Sequence, residues 1–132
     1  MNEKSIIIAD DDEDDVELFK SLALEFCPEL QINAVENGNE LMRLLELTPV
    51  PNIIILDLNM PYKSGKECLL EIRARKKFDD VKVIILSTSD HIDDMNYCMY
   101  KKADNYFVKP SSIEGLKKII AFICDEKSVN YS

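Results

Sequence analysis

The most informative part of the sequence is the run Ile53-Ile54-Ile55-Leu56-Asp57-Leu58-Asn59-Met60-Pro61. It begins with aliphatic residues that are mostly β-branched, a composition typical of a central parallel strand covered by helices on both faces. The strand ends at Asp57, whose carboxylate is costly to bury unless another group compensates its charge. In open α/β sheets, ligands bind at loops of this kind, beyond the carboxyl ends of the strands.

A helix follows this loop, because Ser64-Gly65-Lys66-Glu67 has the pattern of a capping box. The same unit of strand, loop and helix recurs along the chain. Apolar strand-like runs lie at 5–9, 31–35, 53–56, 81–86 and 105–108, and each precedes a helical pattern. This alternation predicts an α/β fold: a single doubly wound five-stranded parallel sheet with helices on both faces and the flavodoxin-like order 2-1-3-4-5.

Length and composition predict one domain spanning residues 1–132, with a core at about 4–125 and a polar C-terminal tail at 127–132. No apolar run approaches the roughly 18 residues of a membrane span, and no signal peptide is recognisable. We therefore expect a soluble cytoplasmic protein without a membrane partner. The net charge of −9 disfavours a nucleic-acid surface, which needs a basic stripe.

The cysteines give no sign of a metal site or of thiol catalysis. Cys27, Cys68, Cys98 and Cys124 are widely separated, and the only histidine is His91. There is no C-x-x-C pair and no histidine beside a cysteine, which disfavours both a zinc site and Cys/His catalysis. We expect reduced thiols, as is usual in the cytosol.

Polar side chains follow four of the predicted strands. They are Asp10 and Asp11, Asp57, Ser87 or Thr88, and Lys109. A parallel sheet brings its carboxyl ends to one edge, where three carboxylates repel one another unless a cation is bound. Hard oxygen ligands without His or Cys select Mg²⁺ or Mn²⁺ over zinc. A metal, a carboxylate nucleophile, a hydroxyl and an ammonium together suit phosphoryl transfer.

Four motifs carry a resemblance to a known family. They are Ile-Ile-Ile-Ala-Asp-Asp-Asp at 6–12, Leu-Asp-Leu-Asn-Met-Pro at 56–61 with Ser64-Gly65, Leu-Ser-Thr-Ser at 86–89, and Phe-Val-Lys-Pro at 107–110. In this order and at these strand ends, the chain resembles a response-regulator receiver domain of two-component signalling, similar to the stand-alone chemotaxis type. The resemblance covers about residues 4–125.

The resemblance implies a role for each residue at the edge of the sheet. Asp57 would be the phospho-acceptor and a metal ligand. Asp11 would bind Mg²⁺ directly and Asp10 through water, while Asn59 would offer its backbone carbonyl. Lys109 would contact the phosphoryl group.

It also implies a switch. The Ser87 hydroxyl would move toward the phosphoryl group, and Tyr106 would change rotamer on activation. The Lys109-Pro110 peptide bond would be cis. Asn59 and Ser89 would tune the lifetime of the phosphate.

The resemblance implies a signalling protein and not an enzyme, apart from self-phosphorylation from small donors and self-dephosphorylation. A histidine kinase or phosphotransfer protein would supply the phosphoryl group, and an output protein would bind the face of the fourth helix, fifth strand and fifth helix. The alternatives are a phosphate-independent pseudo-receiver that only binds partners and a Mg²⁺-dependent phosphatase with an aspartyl nucleophile. The phosphatase usually has a second Asp where this chain has Asn59.

Two positions leave questions open. By family spacing the metal pair is Asp10/Asp11, and the alternative is Asp11/Asp12. Asp12 is expected to cap the helix that follows. Residues 13–15 are interpreted as solvated charges at the helix N-terminus. Lys102 stands where the family commonly has glycine, at a helix end that favours a left-handed residue. A lysine there would carry backbone strain.

Overall fold

The sheet has the predicted topology. A computed structural model describes residues 4–129, and the side chains of residues 4–125. Five parallel strands pair in the order β2-β1-β3-β4-β5. The strands are β1 (Ser5–Ala9), β2 (Gln31–Val35), β3 (Ile53–Leu56), β4 (Lys82–Ser87) and β5 (Asn105–Val108). The α/β fold class and the 2-1-3-4-5 order predicted from the sequence are therefore confirmed.

A helix follows each strand. The helices are α1 (Glu13–Phe26), α2 (Gly38–Leu47), α3 (Gly65–Arg73), α4 (Ile92–Tyr100) and α5 (Ile113–Val129). A short 3-10 turn at Lys76–Phe78 was not predicted. Helix α5 includes the first residues of the predicted tail at 127–132, and residues 130–132 lie outside the described part of the chain.

The strands bury side chains on both faces, which explains why β3 reads as one continuous apolar run. Ile54 and Leu56 pack with residues of α2, α3 and α4 in one cluster. Ile53 and Ile55 pack with residues of α1 and α5 in the other. The alternation follows the two-residue period of a strand, and it places α1 and α5 on one face of the sheet.

Strand register sets the positions of the polar residues that follow. Ala9 of β1 lies opposite Leu56 of β3, and the Asp57 N–H donates to the Ala9 carbonyl at 3.0 Å. At the other side of β4, the Lys109 N–H donates to the Ser87 carbonyl at 2.7 Å. The hydrogen-bonded ladder thus continues one residue past the strands and fixes the backbone at both positions.

The predicted strain at Lys102 is present, since its φ is 75°. Arg73 holds this turn in place: its guanidinium donates to the carbonyls of Lys102, Phe78 and Val81 and pairs with Asp104 at 2.9 Å. Arg73 lies in the last turn of α3, where its charge also complements the helix dipole. The structure shows that it joins α3 to the segment before β4 and to the turn after α4.

Replacing Lys102 with glycine is expected to stabilise the protein by about 1 kcal/mol, because glycine adopts a left-handed backbone without the penalty of a Cβ atom. Lys101→Gly is the matched control, since Lys101 has a φ of −86° and glycine only adds chain entropy there. Urea unfolding at pH 7 measures both variants. Equal stability of Lys102→Gly and wild type would contradict the prediction.

Candidate functional site

Three carboxylates meet at the carboxyl edge of the sheet. Asp10, Asp11 and Asp57 each offer an oxygen, and these oxygens lie within 4.8 Å of one another. Asp10 is 4% exposed and Asp57 6% exposed, whereas Asp11 faces solvent. Adjacent strands β1 and β3 supply the two buried groups. Such a cluster of hard oxygen ligands fits a divalent cation of the Mg²⁺ or Mn²⁺ type.

Asp12 does not join this cluster. Its Oδ1 accepts hydrogen bonds from the backbone N–H groups of Asp14 and Asp15, both at 3.1 Å, so that it caps α1. Its own N–H donates to Asp10 Oδ1 at 2.9 Å, which orients the Asp10 carboxylate. Of the two possible metal pairs, the geometry therefore favours Asp10/Asp11.

The Lys109 ammonium lies beside these carboxylates. Its Nζ is 2.9 Å from Asp10 Oδ2, 2.8 Å from Asp15 Oδ2 and 3.9 Å from Asp57 Oδ2. Burial by itself lowers the pKa of Lys109, but hydrogen bonds to Asp10 and Asp15 and the charge of Asp57 outweigh it and raise the pKa above its ordinary value. Lys109 is therefore fixed as a cation in the pocket.

Among the carboxylates of residues 4–125, Asp57 has the largest shift in pKa. The pKa of Asp57 is raised from 3.8 to about 6, chiefly by burial. The charge of Lys109 lowers this pKa, whereas the charge of Asp10 raises it further. Hydrogen bonding by the Ser87 hydroxyl and the Asn59 N–H lowers it in part. At pH 7 the side chain is an under-solvated anion, a state that raises its reactivity toward an electrophile.

Ser87, and not Thr88, faces the pocket. Ser87 is fully buried at the end of β4, whereas Thr88 is exposed. Successive residues of an extended chain point in opposite directions, so that only one of the two hydroxyls can reach Asp57. The Ser87 oxygen also accepts from the Ser89 N–H at 3.3 Å.

The loop after β3 is tight, and its last residues pack against its first residues. The Ser64–Glu67 capping box is confirmed, with reciprocal side-chain bonds that begin α3. The Gly65 N–H donates to the Leu58 carbonyl at 2.9 Å, and a Cβ at Gly65 would lie 2.2 Å from the Asp57 carbonyl oxygen. Asn59 remains exposed at the mouth of this loop.

Tyr106 links β5 to the loop after β4. The ring is half-buried against the apolar cluster beneath α2, α3 and α4, and its hydroxyl donates to the Ser89 carbonyl at 2.9 Å. The Ser89 hydroxyl donates to Asp94 Oδ2 at 2.5 Å, and Asp94 Oδ1 accepts from Lys66 Nζ at 2.5 Å. This chain of contacts connects Ser89, whose N–H donates to the Ser87 hydroxyl oxygen, to α4, β5 and α3.

Two expectations differ from the structure. The peptide bond before Pro110 is not cis, because no cis bond occurs in residues 4–129. The trans isomer is the ordinary state of such a bond. Asp15 is not simply a solvated charge, since it pairs with Lys109 at 2.8 Å.

Sequence reasoning missed this contact of Asp15. The only sequence signal was its position in the first turn of the helix that follows Asp10 and Asp11. The partner, Lys109, lies 94 residues away in the chain and is brought close only by the sheet order. No local pattern in the sequence encodes that pairing.

Comparison with known proteins gives one consistent result. A profile of the response regulator receiver domain matches residues 6–121. Response regulator Rcp1 of Synechocystis sp. (strain ATCC 27184 / PCC 6803 / Kazusa) is 28% identical over 123 residues, covering 89% of this chain and 84% of Rcp1. The chemotaxis protein CheY homolog of Campylobacter jejuni subsp. jejuni serotype O:23/36 (strain 81-176) is 31% identical over 83 residues, covering 63% of this chain and 64% of that protein.

Solved structures agree with the sequence matches. The phosphorylated cyanobacterial phytochrome response regulator RcpA superposes with a TM-score of 0.88 at 27% identity, covering 94% of this chain and 93% of RcpA. The Mn²⁺-bound form of Rcp1 gives a TM-score of 0.84 at 28% identity, covering 92% of each chain.

Within residues 4–129, no helix is long and apolar enough to cross a membrane.

Proposed function

Because the chain belongs to the response regulator receiver domain family, we propose that it carries a two-component signal by accepting a phosphoryl group on Asp57. The observation that carries this proposal is the buried Asp57 carboxylate at the end of β3, with its Oδ2 3.9 Å from the Lys109 ammonium and with Asp10 and Asp11 beside it. Family members are signalling proteins, and the chemistry of this pocket is in keeping with that role.

The transfer step needs one nucleophile and charge stabilisation. A carboxylate oxygen of Asp57 forms a bond to phosphorus while the bond from phosphorus to the donor breaks, and the donor leaves with that electron pair. The donor is a phosphohistidine of a kinase or phosphotransfer protein, or a small acyl phosphate. Lys109 neutralises charge on the phosphoryl oxygens, and the Ser87 hydroxyl donates a hydrogen bond to one of them.

The donor set at the edge of the sheet fits Mg²⁺, with Mn²⁺ as the other candidate. Asp11 and Asp57 would bind it directly, Asn59 would contribute its backbone carbonyl, and Asp10 would act through water. When bound, the cation neutralises negative charge on the pocket and on the phosphoryl oxygens. The three carboxylates with oxygens within 4.8 Å support this assignment.

The output surface we propose is formed by α4, β5 and α5. Large apolar side chains are exposed there, among them Ile92 at 65%, Tyr100 at 79% and Met99 at 46%. The contacts of Ser89 with Tyr106 and Asp94 connect this surface to Ser87, whose hydroxyl oxygen accepts from the Ser89 N–H. A movement of Ser87 toward a phosphoryl group would therefore shift the loop that holds both side chains, and an output protein would read the change.

The other two functions are less well supported. A phosphatase with an aspartyl nucleophile needs a general acid two residues later, and the amide of Asn59 cannot donate a proton in that way. A pseudo-receiver would not need a lysine held by Asp10 beside Asp57. We propose a cytoplasmic receiver domain with only self-phosphorylation and self-dephosphorylation as chemical activities.

Intact-mass measurement after incubation with acetyl phosphate tests this function. We expect wild type to gain the mass of one phosphoryl group when Mg²⁺ is present and not in excess chelator. The matched Asp57→Asn variant is expected to gain none, because an amide oxygen is a poor nucleophile. A wild-type protein that neither gains the group nor consumes acetyl phosphate would contradict the proposal.

A further inference from the structure

Lys109 has two carboxylate partners before any phosphoryl group arrives. Its Nζ lies 2.9 Å from Asp10 Oδ2 and 2.8 Å from Asp15 Oδ2, but 3.9 Å from Asp57 Oδ2. The side chain of Lys109 is 14% exposed, and so is largely shielded from water. The ammonium is therefore held toward α1 and is not in hydrogen-bonding contact with Asp57.

The two partners differ in burial. The Asp10 side chain is 3% exposed, while that of Asp15 is 45% exposed. A buried carboxylate that loses its cation is left uncompensated, whereas a half-exposed one is re-solvated by water. Asp15 is accordingly the partner that Lys109 can leave at small cost.

We propose that Asp15 is a positioning residue that holds Lys109 away from Asp57 in the unphosphorylated protein and competes with the phosphoryl group for its ammonium. This inference rests on the proposed phosphorylation of Asp57. Asp15 touches neither the donor nor the phosphorus and acts only through Lys109. The ion pair between Asp15 and Lys109 therefore makes phosphorylation of Asp57 slower than it would be if Lys109 were free to contact the phosphoryl group.

The chain offers a closely matched control. Asp14 is exposed, lies one residue earlier in the same first turn of α1, and carries the same charge at the same helix N-terminus. Asp14→Asn removes one negative charge and its interaction with the helix dipole, as Asp15→Asn does. Only Asp15→Asn also removes the ion pair with Lys109.

The experiment measures the initial rate of phosphoryl gain by intact mass, with acetyl phosphate below saturation and with fixed Mg²⁺ and ionic strength. We expect Asp15→Asn to react about two- to fivefold faster than wild type. This factor corresponds to the free energy of a half-exposed ion pair. Asp14→Asn should react at the wild-type rate. Asp15→Glu, which keeps the carboxylate within reach of the flexible lysine, should restore the wild-type rate.

A Lys109→Met background separates this role from a structural one. There, Asp15→Asn should no longer change the rate, because the partner through which it acts is absent. A rate of Asp15→Asn equal to or below that of Asp14→Asn, or an effect that persists without Lys109, would overturn the inference. Failure of wild type itself to gain the phosphoryl group would instead refute the proposed function.

Discussion

Replacing Asp57 with asparagine is expected to stabilise the metal-free protein at pH 7 by about 2–3 kcal/mol. The pKa of Asp57 rises from 3.8 to about 6 on folding, chiefly because the carboxyl is buried. Each unit of difference corresponds to about 1.36 kcal/mol between the two protonation states. Above pH 6 the folded protein holds an anion that is more stable in the unfolded chain, and asparagine removes this cost.

The stability gained by Asp57→Asn is expected to depend on pH. Between pH 3.8 and about 6 the folded state of wild type keeps its proton on Asp57 while the unfolded state loses it, so that stability falls as pH rises. Below pH 3.8 both states are mostly protonated, so the advantage of the Asp57→Asn variant should be small near pH 4 and vanish at lower pH. The gain should therefore be fully developed at pH 7 and small in acid.

Urea unfolding in chelator at pH 7 and pH 4 measures this difference. Asp14→Asn is the control, because Asp14 is exposed at the start of α1 and its loss should change stability little. A gain for Asp57→Asn that is equal at both pH values, or no gain at pH 7, would contradict the electrostatic account of the pocket. Added Mg²⁺ should stabilise wild type more than Asp57→Asn, since we propose that the cation binds the folded state through this carboxylate.

Gly65→Ala is expected to destabilise the protein by about 3 kcal/mol or more. The added Cβ would lie 2.2 Å from the Asp57 carbonyl oxygen and 2.7 Å from the Leu58 Cα. Both are backbone atoms next to the end of β3, and they cannot move without disturbing the buried strand. Overpacking against rigid neighbours costs about 1–3 kcal/mol even where side chains can adjust.

Gly115→Ala is the comparison for this variant. Its Cβ would meet side-chain atoms, with Pro110 Cβ at 2.8 Å and Ser112 Oγ at 3.2 Å, and alanine gains about 1 kcal/mol of helix propensity over glycine. Urea unfolding should therefore rank Gly65→Ala well below Gly115→Ala. Equal stability of Gly65→Ala and wild type would show that the loop after β3 does not pack against its own start.

The strands and their order follow from local patterns in the sequence. The runs at 6–9 and 53–56 lack any polar residue, which distinguishes buried central strands from the alternating pattern at 31–35. Once strand and helix alternate, the handedness of crossovers leaves few topologies. The polar residues at the strand ends could then be placed at one edge without knowing any side-chain position.

The contacts that tune this edge could not be obtained in the same way. The Asp15–Lys109 pair joins positions 94 residues apart. Arg73 bonds three carbonyls that no sequence pattern marks as acceptors. The 3-10 turn at Lys76–Phe78 depends on the burial of Phe78, which is a tertiary effect. Long side chains reach partners that only the assembled fold supplies.

The most direct test of the central claim is to locate the phosphoryl group. After reaction with acetyl phosphate and Mg²⁺, borohydride reduction converts an aspartyl phosphate to homoserine, which peptide sequencing by mass spectrometry can place in the chain. We expect homoserine at position 57 and unmodified aspartate at positions 10 and 11. Homoserine at position 10 or 11, with position 57 unchanged, would contradict it.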